Sequence, residues 1–508
     1  MASTSFDLPN IKFTQLFIDG QFCNSIKGQT FESICPYTDH PIARLQQATS
    51  EDVDRTVLVA RRAFNEWKSV PAPERGKYLY RLADLIEQHH QHIAALDSLE
   101  NGIPIREMLH TSYASAEIFR FYAGIADKIK GETLPTACGD DLMTMTVRMP
   151  LGVCAIIIPW NSPTLMLAKT VAPSLAAGNT VIVKPAEQTS LSALFIAHLS
   201  TLIDGFPRGI FNVLTGDGPG VGVPLAEHMD IDKITFTGST EVGQSIMAAS
   251  ARTNLKRVTL ELGGKNPLVV FDDVPDVEKA AKLATNAIFV SNGQVCCCGS
   301  RTYVQEKIYD QFVEACVRFA RDRIVGNPLD TDTEHGPQVD KQSIDKIMRM
   351  IQSGIEQGAR LMVGGKPGTV KSLPAGQNAS SRYFIQPTVF ADVNEQMQIG
   401  CEEIFGPVQC IMKFKTLDEI IERANRNKYG LGAGVITTKI NRALRFAREV
   451  RAGTCWVNCF FVVRPQTPFG GFRMSGFGRE FGEEAMKEYM ETKTISINLR
   501  MNDEYLFG

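Results

Sequence analysis

Along the first part of the chain, apolar residues recur at helical spacing. Val57, Ala60 and Phe64 follow Asp52-Val53-Asp54 as one stripe, and Leu79, Leu82, Leu85 and Ile86 form a second, which predicts helices across residues 50–130. From Val153 the period changes. Short β-branched runs at Val153–Ile158, Val181–Val183, Phe211–Leu214 and Ile234–Thr237 alternate with helical stretches, and a second series follows at Pro267–Phe271, Thr302–Gln305 and Ala433–Thr437. Strands separated by helices are the pattern of a parallel sheet covered on both faces, so the expected class is α/β. No period of about 20 to 50 residues repeats, which excludes solenoids and propellers. Residues 365–381, rich in Gly, Pro and Ser, read as an exposed loop.

Length sharpens this picture. At about 150 residues per domain, 508 residues suggest three domains or two large ones. A composition of 44% hydrophobic and 21% charged residues excludes a mainly disordered chain. Acidic residues exceed basic ones by 56 to 53, so nucleic acid is not an expected partner. Apolar runs such as Ala155–Ile158 and Phe460–Val463 fall far below the roughly 18 residues of a membrane span. The first basic residue is Lys12, and no long apolar stretch follows, so no targeting peptide is visible. Twelve scattered cysteines without a C-x-x-C pair suit free thiols in a reducing compartment, and the expected location is the cytoplasm.

Three segments carry candidate chemistry. The fingerprint G-x-G-x-x-G is absent; Gly216, Gly218, Gly220 and Gly222 come close, and read either as a phosphate loop or as a plain one. Thr235–Gly243 reads as strand, tight turn and a helix opening at Gly238 or Ser239. Its N-terminus either receives a pyrophosphate or is simply capped by Ser239. After the strand Val181–Val183 come Lys184 and Glu187, at the edge where parallel sheets bind ligands. They form either a surface ion pair or a clamp for the two hydroxyls of a ribose. In the second role the carboxylate would repel a 2′-phosphate and favour NAD over NADP.

The third segment runs from Phe289 to Arg301 and holds Cys296-Cys297-Cys298. The three thiols are either small buried hydrophobes or include a thiolate nucleophile beside a helix N-terminus. They match no zinc pattern, and no metal is expected. His89, His90 and His92 lie in a polar helical stretch and read as solvated, so no histidine partner for a cysteine protease stands out. Neither G-x-S-x-G nor H-E-x-x-H occurs.

The cysteine segment resembles the F-x-x-x-G-Q-x-C signature of the NAD(P)-dependent aldehyde dehydrogenase superfamily. Leu260–Lys265 is similar to its glutamate motif, Pro159-Trp160-Asn161 to its oxyanion asparagine, and Lys184–Glu187 to its adenine-ribose clamp. Glu403–Pro407 and Pro468–Gly471 resemble further motifs, all in family order, and Ser475–Glu480 is closest to the broad-substrate tetrameric branch. The resemblance implies a Rossmann-like NAD-binding domain (1–127 and 151–262), a catalytic domain (263–475) and a small β oligomerisation element (128–150 and 476–508), assembled as a homotetramer, a dimer of dimers.

It also implies roles. Cys296 attacks an aldehyde as thiolate, Asn161 and the Cys296 N–H hold the oxyanion, and Glu261 activates water to hydrolyse the thioester. Such oxyanion donors contribute about 2.7–4 kcal/mol each. NAD would be bound by Ile157, Pro159, Trp160, Lys184, Glu187, Gly218, Gly222, Phe236, Gly238, Ser239, Val242, Leu262, Glu403 and Phe405. The substrate tunnel would be lined by Ser162, Met166, Lys169, Val295, Cys297, Phe461, Val463, Arg464 and Phe469.

The chain departs from that branch in three places. Ser162 stands where an aromatic residue is usual, Lys169-Thr170 where a Trp-Lys pair is usual, and Arg464 where a small residue is usual. The two cations either snorkel to solvent at the tunnel mouth or select a polar or anionic substrate tail. A catalytically silent binding or structural protein of the same fold is the alternative, which loss of Cys296, Glu261 or Asn161 would have signalled; all three are present.

Overall fold

The computed structural model describes residues 5–136, 141–368 and 383–499. The helical expectation for the first part holds. Ser50–Trp67, Ala72–Gln88, His90–Asn101 and Ile105–Ile125 are α-helices. The first is closed by a capping box in which Thr49 and Asp52 exchange side-chain and backbone bonds, so Asp52 sits one turn inside the helix.

Two large sheets follow. The first has eight strands, in the spatial order Gly476–Phe477, Arg257–Glu261, Lys233–Thr237, Val153–Ile157, Thr180–Lys184, Phe211–Val213, Leu16–Ile18 and Gln21–Cys23. Its five central strands are parallel, and both edges are antiparallel. The second has seven strands: Arg360–Val363, Thr388–Ala391, Val408–Phe414, Arg301–Gln305, Pro267–Val270, Gly432–Ile436 and Thr454–Val457. All of its pairs are parallel except that of the Arg360–Val363 edge. The buried runs that predicted strands are therefore strands, each within a residue or so of its expected bounds. Their central members are buried on both faces, as parallel sheets require.

A three-stranded antiparallel sheet combines Met490–Asn498, Leu142–Pro150 and Thr133–Leu134. Among the described residues of the C-terminal stretch it takes Met490–Asn498, while Gly476–Phe477 joins the edge of the eight-stranded sheet. Most of the expected loop at 365–381 lies outside the described residues. No described helix is long and apolar enough to cross a membrane, and no described cluster of His, Cys, Asp and Glu could hold a metal.

One row of the first sheet positions the chemistry. Parallel register sets Ile157 beside both Lys184 and Phe236, Phe236 beside Leu260, and Thr237 beside Glu261. Residues far apart in sequence thus arrive together at the carboxyl edge of the strands, the ligand-binding edge of an open parallel sheet.

Candidate active site

Cys296 is half-buried in a turn between the helix Val277–Phe289 and the strand Arg301–Gln305. No helix begins at it, so the expected help from a helix N-terminus is absent. The turn is instead forced by two residues in the left-handed region, Ser291 (φ 50°) and Asn292 (φ 60°). Each is held by bonds to distant segments. The Asn292 amide donates to the carbonyls of Gly102 (3.0 Å) and Pro337 (2.9 Å) and accepts from the Gly336 N–H (2.8 Å). The Glu107 carboxylate accepts from the Ser291 N–H (2.7 Å) and hydroxyl (2.8 Å). Downstream, the Asn266 amide donates to the carbonyls of Cys296 (2.9 Å) and Cys298 (2.8 Å). Sequence reading missed Asn292, Glu107 and Asn266, whose signal is only a polar residue at a buried position.

Asn161 is buried and donates one amide hydrogen to the Gln294 carbonyl at 2.7 Å. An amide has two hydrogens, so one remains for an oxyanion formed at Cys296. Glu261 ends its strand, buried, with Oε1 unpartnered among the described residues. Burial pushes its carboxyl well above the usual range, helped by the neighbouring Glu480 and opposed by Lys169.

Lys169 corrects the sequence expectation. It does not snorkel to the tunnel mouth and is not a free tunnel cation. It is buried and ion-paired with Glu480, also buried. Burial works against its charge, but Glu480 and then Glu261 hold it above its ordinary value. Thr170, at the position of the family lysine, is buried and bonds back to the Met166 carbonyl at 2.8 Å. The Cys296 thiol is pushed well above its ordinary value by a hydrogen bond to Cys297 and by burial, while Lys169 pulls it down. Cys297 and Cys298 are buried, and Cys297 packs within the core cluster.

The substrate wall is apolar. Val295, Cys296, Phe461 and Val463 pack against one core cluster that contains Met166 and Phe469. The Phe460 and Phe461 rings meet edge-on at 4.9 Å, and Phe461 is itself left-handed (φ 58°). Ser162 precedes the helix Pro163–Ala177 without a capping bond. Arg464 is exposed.

At the cofactor edge, Lys184 is buried, donates to the Pro185 carbonyl (3.0 Å) and lies 3.7 Å from the half-exposed Glu187. A Cβ on Gly218 would meet no described atom within 4 Å, and one on Gly222 only the Lys184 stem at 4.0 Å. The glycine loop therefore leaves open space on the side of Gly218 and bare contact with the lysine stem at Gly222. The loop is a π-turn whose Asp217 accepts from the Gly220 N–H at 2.6 Å. Ser239 caps the helix Thr240–Arg252, accepting from the Val242 N–H at 3.3 Å, and Gly238 donates to the Glu261 carbonyl at 3.0 Å. The cap is thus real, and it closes the helix end that the sequence offers to a pyrophosphate. Glu403 Oε1 accepts from the Gly264 N–H at 2.9 Å, and Gly263 leaves the room its carboxylate occupies: a Cβ there would fall 2.3 Å from Oε2. Trp160 meets left-handed Phe405 edge-on at 5.4 Å; Pro159 precedes Trp160 in the chain, and Leu262 follows Glu261 at the end of its strand. A buried ammonium, the Glu187 and Glu403 carboxylates and a capped helix fit a dinucleotide.

His89, His90 and His92 are half-buried, not solvated. His92 lies 4.5 Å from Phe195, and His90 meets Tyr113 at 6.3 Å.

The sequence matches the aldehyde dehydrogenase family over residues 22–495. It is 46% identical to retinal dehydrogenase 2 of Homo sapiens over 493 residues, 96% of this chain and 92% of that one. It is 46% identical to the mitochondrial aldehyde dehydrogenase of Rattus norvegicus over 495 residues, 97% of this chain and 93% of that one. Among solved structures it resembles the NAD+ complex of aldehyde dehydrogenase from Bacillus cereus, with a TM-score of 0.92, 40% identity, and coverage of 96% of this chain and 97% of that one.

Proposed function

The chain belongs to the aldehyde dehydrogenase family, and we propose that Cys296, Asn161 and Glu261 carry out its NAD-linked oxidation of an aldehyde to the carboxylic acid. One observation carries the assignment of residues: Asn161 is bonded to the Gln294 carbonyl of the Cys296 turn, and the Cys296 thiol bears electrostatically on both buried Glu261 and Lys169, which is paired with Glu480.

Lys169 favours the thiolate and so opposes the burial and the Cys297 bond that disfavour it. The sulfur attacks the carbonyl carbon, and the oxyanion is held by the second Asn161 hydrogen and the Cys296 N–H. A bound nicotinamide ring supplies the acceptor for the hydride that leaves that carbon. A thioester on Cys296 results. Glu261 then takes a proton from water whose oxygen attacks the thioester, the C–S bond breaks, and the acid departs. Lys184 and Glu187 would hold the adenine ribose, and Glu403 the nicotinamide ribose. NADH formation with a simple aldehyde, abolished in Cys296→Ala, is the expected result; turnover in that variant would refute the nucleophile.

NAD is the preferred cofactor in this reading. Glu187 and Asp217 both act on Lys184, so a 2′-phosphate placed there meets two carboxylates. Equal or higher kcat/KM with NADP would overturn it. The chain assembles as a homotetramer through the antiparallel sheet of Met490–Asn498; sedimentation at monomer mass would sink that assignment. The described cysteines are all free, which suits the cytoplasm; recovery in an organelle fraction would reject that location.

A further inference from the structure

We propose that Arg464 makes this site selective for aldehydes carrying a carboxylate at the far end of the chain, the semialdehydes of dicarboxylic acids. The inference rests on the aldehyde-oxidising reading above and names its substrate class.

The wall leading away from Cys296 is continuous and apolar. Val295, Phe460, Phe461 and Val463 pack with Cys296 against the same core cluster, and Trp456 pins the segment by donating to the Val462 carbonyl at 3.0 Å. Arg464 follows immediately. Its guanidinium folds back along its own chain, Nη1 lying 3.4 Å from the Val463 carbonyl, and this is its only side-chain bond among the described residues. The cation therefore lies beside the backbone of Val463, the outermost apolar residue of the wall. No described carboxylate pairs with it, unlike Lys169, which Glu480 neutralises.

Its backbone is fixed. The Arg464 N–H donates to the Thr467 hydroxyl (3.0 Å), the Thr467 N–H returns to the Arg464 carbonyl (2.9 Å), and Gly482 donates to the Pro465 carbonyl (2.7 Å). An arginine held in a tight turn and paired with no described acid presents a fork that matches a carboxylate. The ligand that fits has three parts: an aldehyde at Cys296, an uncharged carbon chain along Phe460, Phe461 and Val463, and an anion at Arg464. An ammonium at the far end would be repelled.

The experiment compares kcat/KM for straight-chain dicarboxylic semialdehydes of increasing length with alkanals of equal length. In the wild type, the ratio should favour the carboxylated member at the length that reaches Arg464. Arg464→Ala should lower this ratio about 10- to 100-fold, the worth of one charge-assisted contact. Arg464→Lys should recover part of it, since the charge stays and the fork is lost. Thermal melting of each variant shows that the fold is kept. A ratio unchanged by Arg464→Ala, or one favouring alkanals in the wild type, overturns the inference while leaving aldehyde oxidation standing. Failure of the wild type on every aldehyde would instead sink the underlying reading, and this inference with it.

Discussion

Glu261 is asked for one thing, to take a proton from the hydrolytic water, and a neutral amide cannot do it. Glu261→Gln should therefore keep attack and hydride loss but stall thioester hydrolysis, lowering steady turnover about 10²- to 10⁴-fold. The expected signature is a burst of roughly one NADH per site, with the acyl group found on Cys296 by mass spectrometry. Steady turnover at the wild-type rate would remove Glu261 from the mechanism. The sequence showed Cys296, Glu261 and Asn161 because each stands in a contiguous motif. Lys169 was visible only as a departure from a pattern. Its partner Glu480 lies on a distant segment, and a helix of buried residues, Pro163–Ala177, gives no period from which the facing direction of Lys169 could be read. A cation that looked like a tunnel feature is therefore half of a buried ion pair, and Arg464 is left as the cation on the wall.

At the scale of elements, the regular pieces were legible and the irregular ones were not. Val153–Ile157 and its parallel neighbours follow from short apolar runs, since burial on both faces demands them. The turn carrying Cys296 has no such signal, because its shape comes from long-range bonds at Ser291 and Asn292 rather than from local propensity. Asn292→Ala removes three buried hydrogen bonds and places a less tolerant residue at φ 60°. The expected cost is about 1–3 kcal/mol or more, seen as a lower Tm, with slower alkylation of Cys296 by iodoacetamide in the still-folded protein. Unchanged melting and unchanged alkylation would show that the turn holds itself.

For the molecule as a whole, stability depends on groups far from the chemistry. Burial lifts Glu100 from 4.5 to about 8, although Leu191, Ser33 and Ser190 bond to it. The folded chain thus keeps a proton that the unfolded chain has released, so stability is greatest below about pH 4.5 on this account and falls as the pH rises to about 8. Asp97, lifted by burial to about 6, adds a share over the lower part of that window. Glu100→Gln should flatten Tm against pH above about pH 6 and leave the Asp97 share below it; an equally steep variant would assign the slope to other groups. A different consequence comes from the bridge in which Phe469 and Glu480 exchange backbone bonds at 2.7 and 2.8 Å. It joins the substrate wall to the partner of Lys169. Swapping only the stretch around Phe460–Arg464 for that of a relative would import a new pocket and leave the old fastening, so a workable chimera has to be cut outside residue 480.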